Sequence, residues 1–191
     1  MAEQRQNALG SRRGVLVLES GAVFEGRWIW GPPEGGTPYG EVVFNTCMTG
    51  YQEVLTDPSY AGQILVFTQP LIGNVGAAAA DMESSRAWAR GVVVAEASAT
   101  APHWQAESTF PAWLRDQGVP GLEGVDTRAL TRHLRDHGTL RGVLADPEAA
   151  SVAELARLAA SSPSVSEQQL VAEVSSRSRW RAEQPLHPAL R

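Results

Sequence analysis

The 191-residue sequence predicts a mixed α/β fold, and two patterns support this prediction. Short runs of β-branched and aromatic residues recur along the first 145 residues, and glycine, proline or asparagine bounds each run, as is typical of buried strands. Two longer segments instead carry apolar residues at helical spacing behind a residue that can cap a helix. Strands and helices mixed in this way indicate one compact α/β core.

A β-hairpin opens the predicted fold. Residues 15–18 and 23–26 flank a tight turn that contains Gly21, and residues 28–30 continue the second strand. The glycine- and proline-rich segment 31–36 then ends it.

Residues 40–74 form the stretch around which the other elements are organised. Two predicted strands, 41–44 and 63–68, enclose a polar loop that holds Cys47, the only cysteine of the sequence. Pro58 cannot lie inside a sheet, so we expect turns rather than strand between the two runs. A loop held at both ends by core strands is a common place for binding groups.

The following elements alternate between strand and helix. Residues 76–85 have no clear period and are assigned to neither state, whereas 119–125 are predicted to be a connector. The first helix is indicated by a possible N-cap at Ser108 or Thr109, followed by Pro111 in the first turn. The second is indicated by an N-cap at Asp126 and by Gly138, which is expected to end the helix in the left-handed conformation. The predicted elements are a strand over 91–96, a helix ending at Gly118 that buries Phe110, Trp113 and Leu114, a helix over 126–138 that buries Ala129, Leu130 and Leu134, and a strand over 140–144.

The sequence divides into three regions. Residues 1–13 are polar and predicted to be a disordered lead-in, and 14–150 hold the α/β domain. Residues 151–191 are predicted to be a helical extension and a linker or tail. In this last region Ser151 and Glu154 form a capping box for a helix to about residue 160, and a second short helix opens at 166–169.

Composition excludes several classes of protein. No run approaches the roughly 18 apolar residues of a membrane helix, and the N-terminus lacks the apolar core of a secretory signal. A net charge of −5 argues against a nucleic-acid partner, because neutralising phosphates needs a basic face. A single cysteine excludes an intramolecular disulfide and a thiolate metal cluster, so we expect a soluble, cytoplasmic protein.

Three sets of side chains could carry chemistry. Cys47 could be a nucleophile with a distant histidine, but no cysteine-enzyme signature surrounds it and an unreactive thiol is favoured. His133 and His137 have metal-ligand spacing on a helix, but without a third ligand a solvated or capping role is favoured. A further set shares one helix and is either an ordinary solvated face or a surface for a partner or a carboxylate: Arg128, Arg132 and Arg135.

Familiar catalytic motifs are absent. The sequence contains neither a glycine-rich phosphate loop of the Walker or dinucleotide type nor a GxSxG elbow. The residues alone therefore predict a soluble α/β domain with a functional loop.

Three segments closely resemble the small, glutamine-hydrolysing subunit of carbamoyl-phosphate synthase. They are VFNTCMTGYQEVLTDPSY at 43–60, PLIGN at 70–74 and GLEGVDTRALT at 121–131, in the order found in that family. The similarity covers about residues 14–146 and weakly the patch 170–175. It implies the N-terminal domain of that subunit, a swivelling β/β/α fold that packs on the large synthetase subunit.

The resemblance also implies a division of labour. In the family a class I amidotransferase domain follows, with a cysteine nucleophile and a histidine–glutamate pair, and no residue of this sequence matches that triad. Cys47 stands where the family has a serine that helps to bind glutamine, so the resemblance assigns substrate contact to Cys47 and no catalytic residue, cofactor site or metal site to this chain. ATP is used by the large subunit.

Two functional hypotheses follow from the resemblance. The first is a small chain that supports carbamoyl phosphate synthesis from glutamine, bicarbonate and ATP, for arginine and pyrimidine biosynthesis, by supplying the docking domain. The second is a non-catalytic interaction module that binds the large subunit without supporting synthesis. A third, weaker hypothesis is an independent thiol enzyme built on Cys47, which would require a lowered thiol pKa.

Overall fold

Seven strands close into a barrel in the computed structural model, which describes residues 12–31, 36–176 and 178–179. A separate pair of short strands lies outside the barrel. Within the described residues the strands are β1 (Arg13–Leu18), β2 (Val23–Trp30), β3 (Tyr39–Asn45), β4 (Gln63–Phe67), β5 (Leu71–Ile72), β6 (Gly91–Val93), β7 (Glu96–Ala97), β8 (Gly121–Glu123) and β9 (Leu140–Ala145). The order around the barrel is β1, β2, β8, β6, β4, β3 and β9, and β5 pairs with β7.

The barrel combines parallel and antiparallel pairing. Strands β3, β4, β6 and β8 are mutually parallel neighbours, so their carboxyl ends lie at one rim. Strand β9 is antiparallel to both β1 and β3 and closes the barrel between them. The loop that contains Cys47 follows β3 at the rim formed by the parallel strands.

Five α-helices pack around the barrel in the part of the chain that the structure describes. Short 3-10 turns at Pro58–Tyr60, Ala79–Asp81 and Val165–Glu167 join some of the elements. The helices are α1 (Tyr51–Thr56), α2 (Phe110–Asp116), α3 (Thr127–His137), α4 (Val152–Ser161) and α5 (Leu170–Val174). None of these helices is long and apolar enough to cross a membrane.

Apolar side chains fill the barrel interior. Alternate residues of β1, Leu16 and Leu18, point into it and meet Val42, Ile64 and Leu144 from three other strands. Leu130 and Leu134 of α3 pack against the same cluster. The interior is therefore a packed core rather than a channel.

Two further clusters attach the helices to the outside of the barrel. Leu65 and Val92 face α1 and α2, where Tyr51 and Phe110 meet edge to face with ring centroids 5.1 Å apart. On another side, β1 and β9 bury Leu155 of α4 together with Ala159. The predicted α/β class is thus confirmed.

Most predicted elements are present at the expected places. The opening hairpin and β9 form as predicted. The strand predicted over 91–96 ends at Val93, and Glu96 instead begins β7 in the separate sheet. Thr109 caps α2 by accepting a hydrogen bond from the Ala112 backbone, and Asp126 caps α3 in the same way through Ala129. The capping box of α4 is also present, with hydrogen bonds in both directions.

Three local predictions were wrong. Residues 51–56 form α1 instead of a loop, because tertiary contacts stabilise a helix too short to be stable alone. Residues 121–123 form β8 instead of a connector, because β2 and β6 supply hydrogen-bond partners on both sides. In α3, Ala129 is exposed and Thr127 is buried in its place, since the helix is rotated to bury Leu130 and Leu134.

The end of α3 also differs from the prediction. Gly138 has the expected positive φ of 82°, but its ψ of −168° lies outside the left-handed helical region. The unassigned segment 76–85 contains the 3-10 turn Ala79–Asp81. The predicted lead-in at 1–11, and residues 177 and 180–191 of the predicted tail, lie outside the described residues.

Candidate functional site

Asn45 organises the Cys47 loop. Its side-chain oxygen accepts a hydrogen bond from the Cys47 backbone N–H at 2.7 Å, and its side-chain nitrogen donates to the Tyr60 hydroxyl at 3.0 Å. Its backbone oxygen accepts from the Thr68 N–H at 3.1 Å, which joins the loop to the end of β4. The loop is therefore fixed at its base, while Met48 at its tip is 75% exposed.

The surroundings of Cys47 disfavour a nucleophilic thiolate. Burial raises the pKa of the half-buried Cys47 thiol, the negative charge of Glu53 raises it further, and a hydrogen bond to backbone only partly opposes this rise. No histidine among the described residues hydrogen-bonds to the thiol, and His187 lies outside them. The thiol consequently stays protonated at neutral pH and is suited to contact rather than attack.

Buried polar side chains attach α1 to the segment that follows β5. The Gln52 amide pairs with both backbone groups of Ala78, donating to its oxygen at 2.8 Å and accepting from its nitrogen at 2.9 Å. The Tyr51 hydroxyl donates to the Gly76 oxygen and accepts from the Val75 N–H, each at 3.0 Å. Burial raises the pKa of Tyr51 to about 12, so this hydroxyl remains a donor at physiological pH.

Glycine is required where this segment meets the body of the domain. Gly76 has a φ of 73°, and a Cβ atom there would lie 2.7 Å from the side chains of Ala101 and Ala106. Gly73, at a φ of 95°, would place a Cβ atom 2.7 Å from Phe110. Gly76 therefore allows the chain to pass close to the loop that carries His103, and Gly73 allows it to pass close to α2.

A cleft of about 240 Å³ opens beside the N-terminus of α1. Its walls come from the end of the Cys47 loop, from the segment after β5 and from the loop around His103. The residues on those walls that could form hydrogen bonds through side chains include Thr49, Glu53, Asp81, His103 and Gln105.

His133 and His137 interact with each other and with the protein. Their rings stack with centroids 4.2 Å apart, and Nδ1 of His137 lies 2.9 Å from the His133 backbone oxygen. Nε2 of His133 lies 3.2 Å from the Ser20 hydroxyl. Across the described residues no group of three or more His, Cys, Asp or Glu side chains could hold a metal ion. This geometry fits the capping interpretation of the pair.

The predicted arginine set does come together. Arg128, Arg132 and Arg135 of α3 line one cleft of about 340 Å³. The cleft is also lined by Thr131 of the same helix and, from the barrel, by Phe44 of β3 and by Thr46 and Thr68, which follow β3 and β4. The sequence did not indicate the barrel side of the cleft, because the pairing of β3 with β4 places Thr46 and Thr68 near each other. The predicted strands ended at residues 44 and 68, so Thr46 was expected in the loop and Thr68 at a strand end.

The comparison with known families decides the relationship of this chain. Residues 16–144 match the family model described as carbamoyl-phosphate synthase small chain, CPSase domain. The chain belongs to this family.

Relatives in several bacteria agree with the family assignment. The carbamoyl phosphate synthase small chain of Nitratidesulfovibrio vulgaris strain Hildenborough is 48% identical over 175 residues, which are 91% of this chain and 46% of that protein. The small chain of Symbiobacterium thermophilum is 57% identical over 134 residues, 70% of this chain and 36% of that protein. The chain thus spans less than half the length of the curated relatives it matches.

The family-like segments coincide with the site described above. In this carbamoyl-phosphate synthase small-chain domain, residues 43–60 form the end of β3, the Cys47 loop and α1. Residues 121–131 form β8 and the start of α3, including Arg128 of the arginine cleft. The family match over residues 16–144 confirms the resemblance inferred from the sequence.

Proposed function

We propose that this chain supplies the N-terminal docking domain of the small, glutamine amidotransferase subunit of a carbamoyl-phosphate synthase. The observation that carries the proposal is the family match over residues 16–144, which includes the whole Cys47 loop. In this proposal the chain supports the synthesis of carbamoyl phosphate from glutamine, bicarbonate and ATP, for arginine and pyrimidine biosynthesis in the cytoplasm. Its partner is the large synthetase subunit, which binds the ATP.

The proposal includes an organisation of the chain. Residues 14–150 constitute the docking domain, of the swivelling β/β/α type, and residues 151–191 constitute a helical extension and linker. The packing of α4 on β1 and β9 supports an extension that stays attached to the barrel for at least its first helix.

Cys47 has the role of a glutamine contact rather than a catalyst in this proposal. The fixed loop presents its half-buried thiol at the rim of the barrel, and the raised thiol pKa is suited to a neutral contact. A thiol is a weaker hydrogen-bond group than the serine hydroxyl of the family string FNTSMTGYQE. We therefore expect Cys47 to fill space beside glutamine and to bind it less strongly than serine would.

A first assay tests the catalytic part of the proposal. The purified chain should release no ammonia from glutamine, because Cys47 has no histidine partner among the described residues and its pKa is raised. Cys47→Ala is the control variant. Glutaminase activity that is present in the native chain and lost in this variant would establish a thiol enzyme instead.

A second assay tests docking. The chain is mixed with a large synthetase subunit and a separately supplied amidotransferase domain, and both co-purification and glutamine-dependent carbamoyl phosphate formation are measured. We expect binding to the large subunit and faster synthesis than in a mixture that lacks the chain. Binding without any gain in synthesis would favour the non-catalytic interaction module, and the absence of binding would contradict both hypotheses.

A further inference from the structure

The cleft between α3 and the ends of β3 and β4 has no role in the function proposed above. We call it the arginine groove, and define it by the seven residues that line its volume of about 340 Å³. They are Phe44, Thr46, Thr68, Arg128, Thr131, Arg132 and Arg135.

The groove concentrates positive charge in an acidic protein. The chain has a net charge of −5, yet its three groove arginines are all exposed on one helix. Several other described arginines pair with carboxylates, as Arg141 does with Glu19 at 2.6 Å and Arg86 with Glu173 at 2.6 Å. Within 12–31, 36–176 and 178–179, no carboxylate forms such a pair with a groove arginine. Their charge is therefore available to an external anion.

The spacing of the arginines indicates the size of that anion. Positions 128, 132 and 135 follow the i, i+4, i+7 pattern of one helix face, and seven residues of helix rise about 10 Å. Three guanidinium groups distributed along that length match a row of carboxylates on an extended surface, and arginine is suited to bind carboxylates through two parallel hydrogen bonds.

The barrel side of the groove adds features common in protein interfaces. The guanidinium carbon of Arg135 lies 5.9 Å from the centre of the partly exposed Phe44 ring. Arginine and aromatic residues are enriched in protein–protein interfaces. Thr46 and Thr68 also line the groove, whereas the Thr131 hydroxyl already donates to the Thr127 oxygen at 2.7 Å.

We propose that the arginine groove binds an acidic surface of the large synthetase subunit, and this inference rests on the function proposed above. Charge complementarity is the argument for that occupant, and the groove starts at Thr46, directly beside the Cys47 loop. Contacts of this kind raise association rates and are weakened by salt. The groove thereby orients the chain on the large subunit and makes the affinity between them depend on ionic strength.

The test is a charge reversal with a matched control. The double variant R128E/R132E should bind the large subunit at least tenfold more weakly than the native chain at low ionic strength. R157E reverses an exposed helix arginine outside the groove, on α4, and should change the dissociation constant less than twofold. The difference between the native chain and R128E/R132E should shrink at high salt. Thermal unfolding of each variant checks that the fold is retained.

Each outcome decides between the possibilities. Equal binding by R128E/R132E and the native chain would overturn the arginine groove as a docking site while leaving the proposed function intact. Failure of the native chain itself to bind the large subunit would overturn both. If R128E/R132E instead abolishes only self-association, measured by light scattering, then the groove holds a second copy of the chain and the inference is wrong.

Discussion

The Cys47 thiol lies in a loop that the sequence identified correctly, but its chemistry depends on groups the sequence could not place. The Asn45 side chain fixes the backbone at Cys47, and Glu53 approaches from α1, a helix predicted to be loop. The resemblance assigned glutamine contact to this residue, and that role stays a prediction. The raised pKa of the thiol is a property of the fold, because burial is its largest cause.

We predict that alkylation of Cys47 will require a higher pH than alkylation of an ordinary thiol. Iodoacetamide reacts with the thiolate, and a raised pKa shifts thiolate formation to higher pH. The rate for the native chain should therefore reach half its maximum at a higher pH than the rate for the chain unfolded in urea. A midpoint at or below that of the unfolded chain would contradict the described environment of Cys47.

The arginine set illustrates what residue patterns can predict. Helical spacing alone placed Arg128, Arg132 and Arg135 on one face, and the structure confirms that they line one cleft. The threonines opposite them could not be predicted, because strand register depends on contacts between residues distant in the sequence. The residues that share one helix face can be predicted from a single sequence. The residues that other elements place opposite that face cannot.

At the scale of single elements, α1 is the main departure from the sequence prediction. It has six residues, and Gly50 precedes it without a side-chain cap. A helix of this length is unstable alone, so local signals for it are weak. Buried contacts made by Tyr51, Gln52 and Leu55 hold it in place instead. Longer elements with caps, such as α3, were predicted because their signals are local.

We predict that Gln52→Ala will lower the free energy of unfolding by roughly 1 to 3 kcal/mol, because it removes two hydrogen bonds and leaves the Ala78 N–H buried without a partner, while the Ala78 oxygen keeps its hydrogen bond from the Asp81 N–H. Gln52 is only 2% exposed, so water cannot readily replace the amide. Urea denaturation of the native chain and the variant measures the difference.

Gln105→Ala is the matched control for this prediction. Gln105 is the same residue type but is exposed in the loop beside the 240 Å³ cleft, so its removal should change stability little. If the two variants were equally stable, Gln52 would not be the anchor of α1.

At the scale of the whole molecule, the sequence predicted six of the seven barrel strands, but neither β8 nor the closure of the barrel. The strand-forming runs are local signals, and the α/β class follows from them. Closure depends on β9 pairing with β1, which joins Val15 to Ala145 across most of the domain. The residue pattern of β1 does not indicate that it pairs with β9, and the pattern of β9 does not indicate that it pairs with β1.

The barrel interior sets a steric limit that we predict Gly142→Ala will exceed. A Cβ atom at Gly142 would lie 2.7 Å from Val42 and 2.9 Å from Leu16, both of which are inside the barrel. Forcing an extra methyl group into a packed core costs about 1 to 3 kcal/mol of unfolding free energy. Urea denaturation should show this loss.

Gly36→Ala serves as the control for the interior substitution. Among the described residues other than its chain neighbours, no atom lies within 4 Å of the Cβ position at Gly36, and its backbone does not have the positive φ that disfavours other residues. Its stability should therefore stay close to that of the native chain or rise slightly. A Gly142→Ala variant as stable as Gly36→Ala would show that the interior has room that the described packing excludes.

The position of β9 between β1 and β3 also has a consequence for biosynthesis. A ribosome releases β1 about 130 residues before Ala145, so one edge of β1 and one edge of β3 stay unpaired until β9 has been synthesised. Unpaired strand edges are sites of aggregation. Nascent chains that stall before Leu140 should therefore be the ones that need a chaperone.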